Sequence, residues 1–526
     1  MPWAPEGYTE AISIGDLLLR TAERHPDLDA LVFPDRRVSY AELAGRARQI
    51  ARGLIGAGLK QGEKVGYLMA NSVETVATFY GIALAGGVIV PINTRYRARE
   101  LPFVISNAEL AMIVTSDRID DYVDLLALLA EALPLVESAP TIVALGEREA
   151  PGTISQAAFD AFADTVTDDD LDHRRLRVKV GGLAVLLFTS GTTSQPRACV
   201  LSHEALVRNW TTFGNVFRLQ PGEKCWAPGP MFHLGAIGPI LMNCAMGAAM
   251  LTDVWYDPTR ALELLGREQP EILYPAYPPI TMGVLAHPRF EEIDLSPARA
   301  ILNVGPPDLL RQIQAALPHA TLVTIYALSE SGGAVTLTSL DDDLETRVST
   351  CGSPIPGVEM KVEDGEILVR GVSVCDGYYR DEEKNAQAFD ADGWLHTGDR
   401  GSLDADGRVK FLGRLKEMLK VGGENVAAVE IESHISTHPA VKLVQVVGVP
   451  DERLWEVPVA AVELRPGANA SEKDIIAHCD GAIASFKVPR HVRFVTEWPM
   501  SASKIQKHRL RTALLEELGL QDEVTA

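Results

Sequence analysis

Thr189, Ser190, Gly191, Thr192, Thr193 and Ser194 put five hydroxyls and one glycine in consecutive positions, with Arg197 just beyond. Hydroxyls and backbone amides turned toward one point can wrap phosphate oxygens, and a guanidinium adds charge. The chemistry of such a loop is that of an anion cradle. It is not the common P-loop, since Gly191 has no downstream glycine–lysine pair, and it is not a GxGxxG dinucleotide turn. A polar surface turn has the same composition, so the residues alone leave both readings open. Other stretches carry chemistry in the same two-sided way. Tyr326, Ser329 and Glu330 in "IYALSESGG" combine an aromatic face, a hydroxyl and a carboxylate, or a buried Tyr beside a surface Glu. His233 in "GPMFHLGAIG" is either a core histidine or a site residue, and "NVGPPD" (303–308) has the rigidity of a strand-to-helix turn.

The elements around these residues read as alternating layers. Leu183 to Phe188 is a continuous apolar run, the pattern of a buried strand, and the hydroxyl loop follows its carboxyl end, where ligands favour open α/β sheets. Ser39 and Glu42 have capping-box spacing, Leu43, Ala47, Ile50 and Leu54 share a helical face, and Gly58 is a stop signal. Strands are expected at Val65–Met69, Val88–Pro91, Met112–Thr115 and Thr141–Ala144, with a helix over Val73–Leu84. This alternation predicts α/β layers with largely parallel sheets. The acidic stretches Thr167–Asp172 and Asp341–Glu345 read as surface loops. Short strands with an Asp364-Gly365 turn are expected over Val358–Val369. A separate C-terminal unit is expected from near Leu415, with a strand at Val444–Val449 and a helix opened by Ser471 and Asp474.

A chain of 526 residues, 46% hydrophobic and 23% charged, predicts a soluble protein of two or more domains. The net charge of −22 argues against nucleic acid or an anionic membrane as partner. The six cysteines are scattered without CxxC spacing, which points away from a zinc site or redox dithiol and toward reduced thiols in a cytoplasmic protein. Neither a signal peptide nor an integral membrane segment is expected.

Taken together, the motifs resemble the adenylate-forming (ANL) superfamily of acyl-CoA synthetases, luciferases and peptide-synthetase adenylation domains. Thr189 to Thr193 and Pro196 match that family's "TSGTTGxPKG" loop, with Ser194 and Ala198 in place of glycines and Arg197 in place of lysine. The resemblance implies that this loop holds the outer phosphates of ATP. It further implies that Tyr326 stacks on adenine, Ala327 stands at the family's glycine, Ser329 meets the α-phosphate and Glu330 holds Mg2+. Gly305, Pro306 and Pro307 fall on the other side of adenine. In "GWLHTGDRGSLDADGRVKFLGRLKEMLKVGGENVAAVEIE" (393–432), Asp399 corresponds to the residue that binds the ribose hydroxyls and Arg414 to a nucleotide-binding arginine. Lys416 corresponds to the hinge residue, and Gly422, Gly423 and Glu424 to the segment beside the CoA tunnel. His233, Gly235, Ala236, Gly238 and Tyr277 are expected around the acyl group. Lys504, in "WPMSASKIQKHRLR", aligns with the catalytic lysine, and the neighbouring Lys507 is an alternative because the segment is one residue short.

By that resemblance the fold is a large N-terminal domain (1–414) of layered α/β subdomains with a small β-barrel-like part, plus a small mobile α+β domain (415–526) carrying the lysine. The implied activity is an ATP-dependent acyl-CoA synthetase. It activates a fatty, alicyclic or aryl acid as acyl-AMP, releases pyrophosphate, and passes the acyl group to coenzyme A. ATP, Mg2+ and CoA are the implied cofactors, and a homodimer is the implied assembly. Two alternatives stand beside it: loading of a carrier protein in trans, and a catalytically silent nucleotide-binding protein.

Overall fold

The computed structural model describes residues 11–118, 124–189, 196–415, 418–421, 424–451, 453–501 and 504–520. Two seven-stranded sheets dominate the chain up to residue 323. One runs Thr321–Val323, Ala300–Asn303, Ile272–Ala276, Lys224–Trp226, Ala249–Leu251, Asp29–Val32, Arg37–Ser39. The other runs Thr153–Ile154, Thr141–Leu145, Leu110–Ser116, Lys64–Leu68, Val88–Pro91, Leu183–Thr189, Arg197–Ser202. All neighbours pair in parallel except the last pair in each sheet. Parallel strands need covered faces. Helices Tyr40–Gly56, Val73–Leu84, His203–Val216 and Leu234–Met246 supply much of the shared core, where Tyr40, Tyr80, Phe79, Trp210 and Phe213 are fully buried.

The local signals act as elementary chemistry requires. Ser39 Oγ accepts from the Glu42 amide while the Glu42 carboxylate accepts from the Ser39 amide, closing a capping box at the start of Tyr40–Gly56. Thr167–Asp172, expected as a loop, instead opens helix Asp168–Arg175. Thr167 and Asp170 form its capping box, three acids fill the first turn, and His173, Arg174 and Arg175 fill the last. That order suits the helix dipole at both ends, so charge density stabilises the helix. Asp343 likewise caps helix Leu344–Ser349 inside the second acidic stretch.

Beyond residue 324 the sheets turn antiparallel. A three-stranded sheet, Ile325–Leu328, Gly333–Leu337 and Ser353–Pro354, is followed by a four-stranded one, Val358–Glu363, Glu366–Gly371, Leu395–Leu403 and Val409–Arg414. The C-terminal sheet, Glu424–Ala427, Met418–Val421, Trp455–Leu464, Val441–Asp451 and His491–Phe494, has its own apolar cores on its two faces. Helix Ala428–Ser436 of that unit touches helix Pro307–Ala316. Among the described residues no helix is long and apolar enough to cross a membrane. All six cysteines are free thiols.

Candidate functional site

Four neighbouring strands of the first sheet run in parallel, so their carboxyl ends open on one side. The loop after Lys224–Trp226 carries His233, and the end of Ile272–Ala276 carries Tyr277. The turn after Ala300–Asn303 carries Gly305, Pro306 and Pro307, and the chain after Thr321–Val323 delivers Tyr326, Ala327, Ser329 and Glu330. In the second sheet, Thr189 ends its strand and faces Arg197 across the ladder. Strand Arg197–Ser202 packs against the Ser329–Ser331 turn, so the two sheets converge on Glu330.

On one flank, His233 caps helix Leu234–Met246 by accepting the Gly235 amide on Nδ1 at 3.1 Å. The Tyr277 hydroxyl lies 3.3 Å from the same nitrogen. With Nδ1 accepting, the neutral ring carries its proton on Nε2. Burial pushes the Tyr277 phenol up to about 12, so it stays a donor. The preceding residue, Ala276, adopts φ 62°, a left-handed conformation costly for a residue with a Cβ, and such strain concentrates at ligand sites. Ala236 is buried behind this corner, and Gly238, two residues along the helix, is covered by the ring of Trp210.

At the centre, Tyr326 and Asp399 are both buried, and the Tyr326 hydroxyl donates to Asp399 Oδ2 at 2.6 Å. Arg414 Nε stands 2.7 Å from Asp399 Oδ1, and the two residues are cross-strand partners. Burial and the Asp399 charge hold the Tyr326 phenol well above its ordinary value, so it remains protonated. Phe411, two-fifths exposed, stacks on the Tyr326 ring with centroids 6.0 Å apart. Ala327 is exposed beside it, as are Gly305 and Pro307, with Pro306 half-buried.

On the other flank, Glu330 is half-buried, and Tyr378 donates its hydroxyl to Glu330 Oε1 at 2.8 Å. Burial and this carboxylate hold the Tyr378 phenol far above its usual value. One hard carboxylate fits magnesium, which takes one or two protein carboxylates and completes its octahedron with phosphate oxygens and water. Arg197 pairs with Asp381 (3.4 Å), which also caps helix Glu382–Ala388. Ser190, Gly191, Thr192, Thr193, Lys416, Gly422 and Gly423 lie outside the described residues, as do the side chains of Glu424 and Lys504. The Lys504 backbone forms a two-strand hairpin with Met500–Ser501. Lys507 pairs with Glu432 at 2.7 Å, and the two line a small pocket with Phe411 and Arg414.

Phe411, Tyr378 and Asp381 are the members of this constellation that the sequence reading passed over. Asp381 carried one visible signal, its helix-capping position before Glu382 and Glu383.

The AMP-binding enzyme family matches residues 18–379, and the AMP-binding enzyme C-terminal domain matches residues 430–504. A putative acyl-CoA synthetase, YngI, of Bacillus subtilis is 33% identical, covering 97% of this chain and 98% of its own. A 3-[(3aS,4S,7aS)-7a-methyl-1,5-dioxo-octahydro-1H-inden-4-yl]propanoyl:CoA ligase of Rhodococcus jostii is 34% identical, covering 94% of this chain and 97% of its own. Among solved structures, the anthranilate CoA ligase AuaEII in complex with anthranoyl-AMP superposes with a TM-score of 0.85. It is 27% identical and 98% of each chain is covered.

Proposed function

Because this chain belongs to the AMP-binding enzyme family, as a ligase that forms carbon–sulfur bonds with ATP, Mg2+ and coenzyme A, we propose that it converts an apolar fatty, alicyclic or aryl acid to its CoA thioester through acyl-AMP. A carboxylate is a poor acyl donor because its leaving group would be oxide. Attack on the α-phosphorus of ATP replaces oxide by AMP and releases pyrophosphate. The obstacle is bringing two anions together, and oriented donors and cations remove it.

The observation that carries this reading is the convergence at Glu330, where the ends of both sheets meet between the buried Tyr326–Asp399 pair, with Arg414 on its exposed side, and the Arg197 strand. The Asp399 carboxylate has lone pairs beyond those facing Tyr326 and Arg414, and it accepts the ribose hydroxyls with them. Tyr326 and the 305–307 turn flank the base. Glu330 would hold magnesium, which would supply positive charge against the phosphates, and Thr189 to Thr193 with Arg197 hold the departing pyrophosphate. His233 and Tyr277 border the acid, and Lys504 stabilises charge at the carboxylate and α-phosphate. The C-terminal unit, from near Leu415, turns about Lys416 and brings Gly422, Gly423 and Glu424 to the thiol.

The test measures acid-dependent AMP and thioester production over a panel of carboxylic acids, with CoA and with phosphopantetheinyl carrier proteins as acceptors. Lys504→Ala is expected to lose acyl-AMP formation while still forming thioester from supplied acyl-AMP. An absence of acid-dependent AMP with every acid overturns the reading, and transfer only to a carrier protein replaces CoA as acceptor.

A further inference from the structure

Helix His203–Val216 places one large side chain between helix Leu234–Met246 and the turn after Glu330. Trp210 is 2% exposed, and its indole Nε1 donates to the Gly332 carbonyl at 2.9 Å, two residues past Glu330. Its neighbour Asn209 holds the same turn, donating to the Ser331 and Ala334 carbonyls at 3.2 and 2.8 Å and accepting the Ala334 amide. The indole stacks on Phe213 with centroids 4.5 Å apart and packs against the edge of Tyr274. On its other side lies Gly238. A Cβ there would stand 1.9 Å from the indole Cζ2 and 2.1 Å from Cη2, so the missing side chain at 238 is space the indole occupies. A Cβ at Gly333 would first meet Asn209 Oδ1 at 2.4 Å and then the same ring at 3.2 Å.

We propose that Trp210 closes the acyl pocket and restricts the enzyme to acids with a short or compact uncharged acyl group. This rests on the acyl-CoA synthetase reading of the same site. An acid activated beside Ser329 and Glu330, with its body against His233, Tyr277 and Gly235, has Gly238 and Gly332-Gly333 next on its path. The indole fills that path, held by a hydrogen bond and a ring stack rather than left to swing. Phe213, Tyr274 and the three glycines around it offer an acyl tail no charge partner. Gly238 is therefore not an open tunnel but the clearance that lets a tryptophan stand against helix Leu234–Met246, while Gly333 makes room for both Asn209 and the indole.

The experiment compares wild type, Trp210→Phe and Trp210→Ala. Binding of acyl-sulfamoyl adenosines with straight tails from acetyl to dodecanoyl is measured by calorimetry, and pyrophosphate release is measured with the matching acids. Wild type is expected to bind short-tailed compounds and to lose affinity steeply as the tail lengthens. Trp210→Ala should move the optimum to longer tails, raising kcat/KM for decanoic acid at least about tenfold, the discrimination a pocket achieves for misfitting methylenes. Trp210→Phe keeps a ring on Phe213 but gives up the indole's second ring and N–H, and should fall between, which preserves the test if the alanine variant does not fold. Wild type that binds dodecanoyl and acetyl compounds equally, or a length profile that both variants leave unchanged, overturns the role of Trp210 alone. Failure of unsubstituted sulfamoyl adenosine to bind wild type overturns the adenylate-forming reading, and this inference with it.

Discussion

The two ends of the proposed nucleotide site are built differently. At the nucleoside end, Asp399 is 1% exposed, fixed by Tyr326 on one oxygen and by Arg414 across the ladder on the other. At the phosphate end, Arg197 and Asp381 meet at 3.4 Å with about a quarter and a third of their side chains exposed. A buried, doubly held carboxylate is organised before ligand arrives, and its geometry costs nothing at binding. An exposed pair is exchangeable: its members trade one partner for another at little cost because water screens both states. In the proposed site, ribose and base would meet fixed groups, and the triphosphate, which must change and depart, would meet groups free to rearrange.

Removing the fixed end should have the largest effect. Asp399→Ala deletes the acceptor of the Tyr326 hydroxyl and the counter-charge of Arg414. Breaking a fully buried pair costs roughly 3–5 kcal/mol, and the partial exposure of Arg414 reduces that to about 2 kcal/mol of stability. Loss of the proposed ribose contact adds to this, so acid-dependent AMP formation should fall by at least about a hundredfold, chiefly through the KM for ATP. Steady-state kinetics beside thermal unfolding separate the two losses. A variant with wild-type KM for ATP would show that the nucleoside is held elsewhere.

Tyr378→Phe acts at the junction of the two ends and should matter less. The substitution keeps the ring and removes the hydroxyl that donates to Glu330 Oε1 at 2.8 Å. A hydrogen bond to a charged group is worth about 1.5–3 kcal/mol. The half-buried Glu330 loses its orientation, so the magnesium concentration for half-maximal activity should rise several-fold and kcat/KM should fall about tenfold. An unchanged magnesium titration would mean that Tyr378 does not position the carboxylate.

The contrast between the ends also explains what the sequence could reveal. Strands Val88–Pro91 and Leu183–Thr189 and the capping box of Ser39 and Glu42 are legible because short-range pattern determines them. Asp399 and Arg414 were legible as motif residues, but their contact comes from the register of Leu395–Leu403 on Val409–Arg414. Phe411, Tyr378 and Trp210 stayed hidden because each acts through a partner far along the chain: Tyr326, Glu330 and Gly332. Nothing in an aromatic residue's immediate neighbours specifies which distant carbonyl or ring it will meet. The Asp168–Arg175 helix was misread for the opposite reason, since its signals were local but composition suggested a solvated loop.

The exchangeable end gives the smallest and most diagnostic effect, because its sign is opposite to the others. Asp381→Asn keeps an oxygen for the Lys384 amide that Asp381 now caps, so helix Glu382–Ala388 should persist. It removes the charge that holds Arg197. An exposed pair is worth at most about 1 kcal/mol, so freeing the guanidinium for the triphosphate should lower the KM for ATP by up to about fivefold with little change in kcat. The gain should shrink as salt is added, since screening weakens the pair being broken. Asp381→Ala separates charge from capping: it should give the same KM shift with some loss of thermal stability. A KM that rises in both variants would mean that Asp381 orients Arg197 toward the phosphates instead of competing with them, making the phosphate end as pre-organised as the nucleoside end.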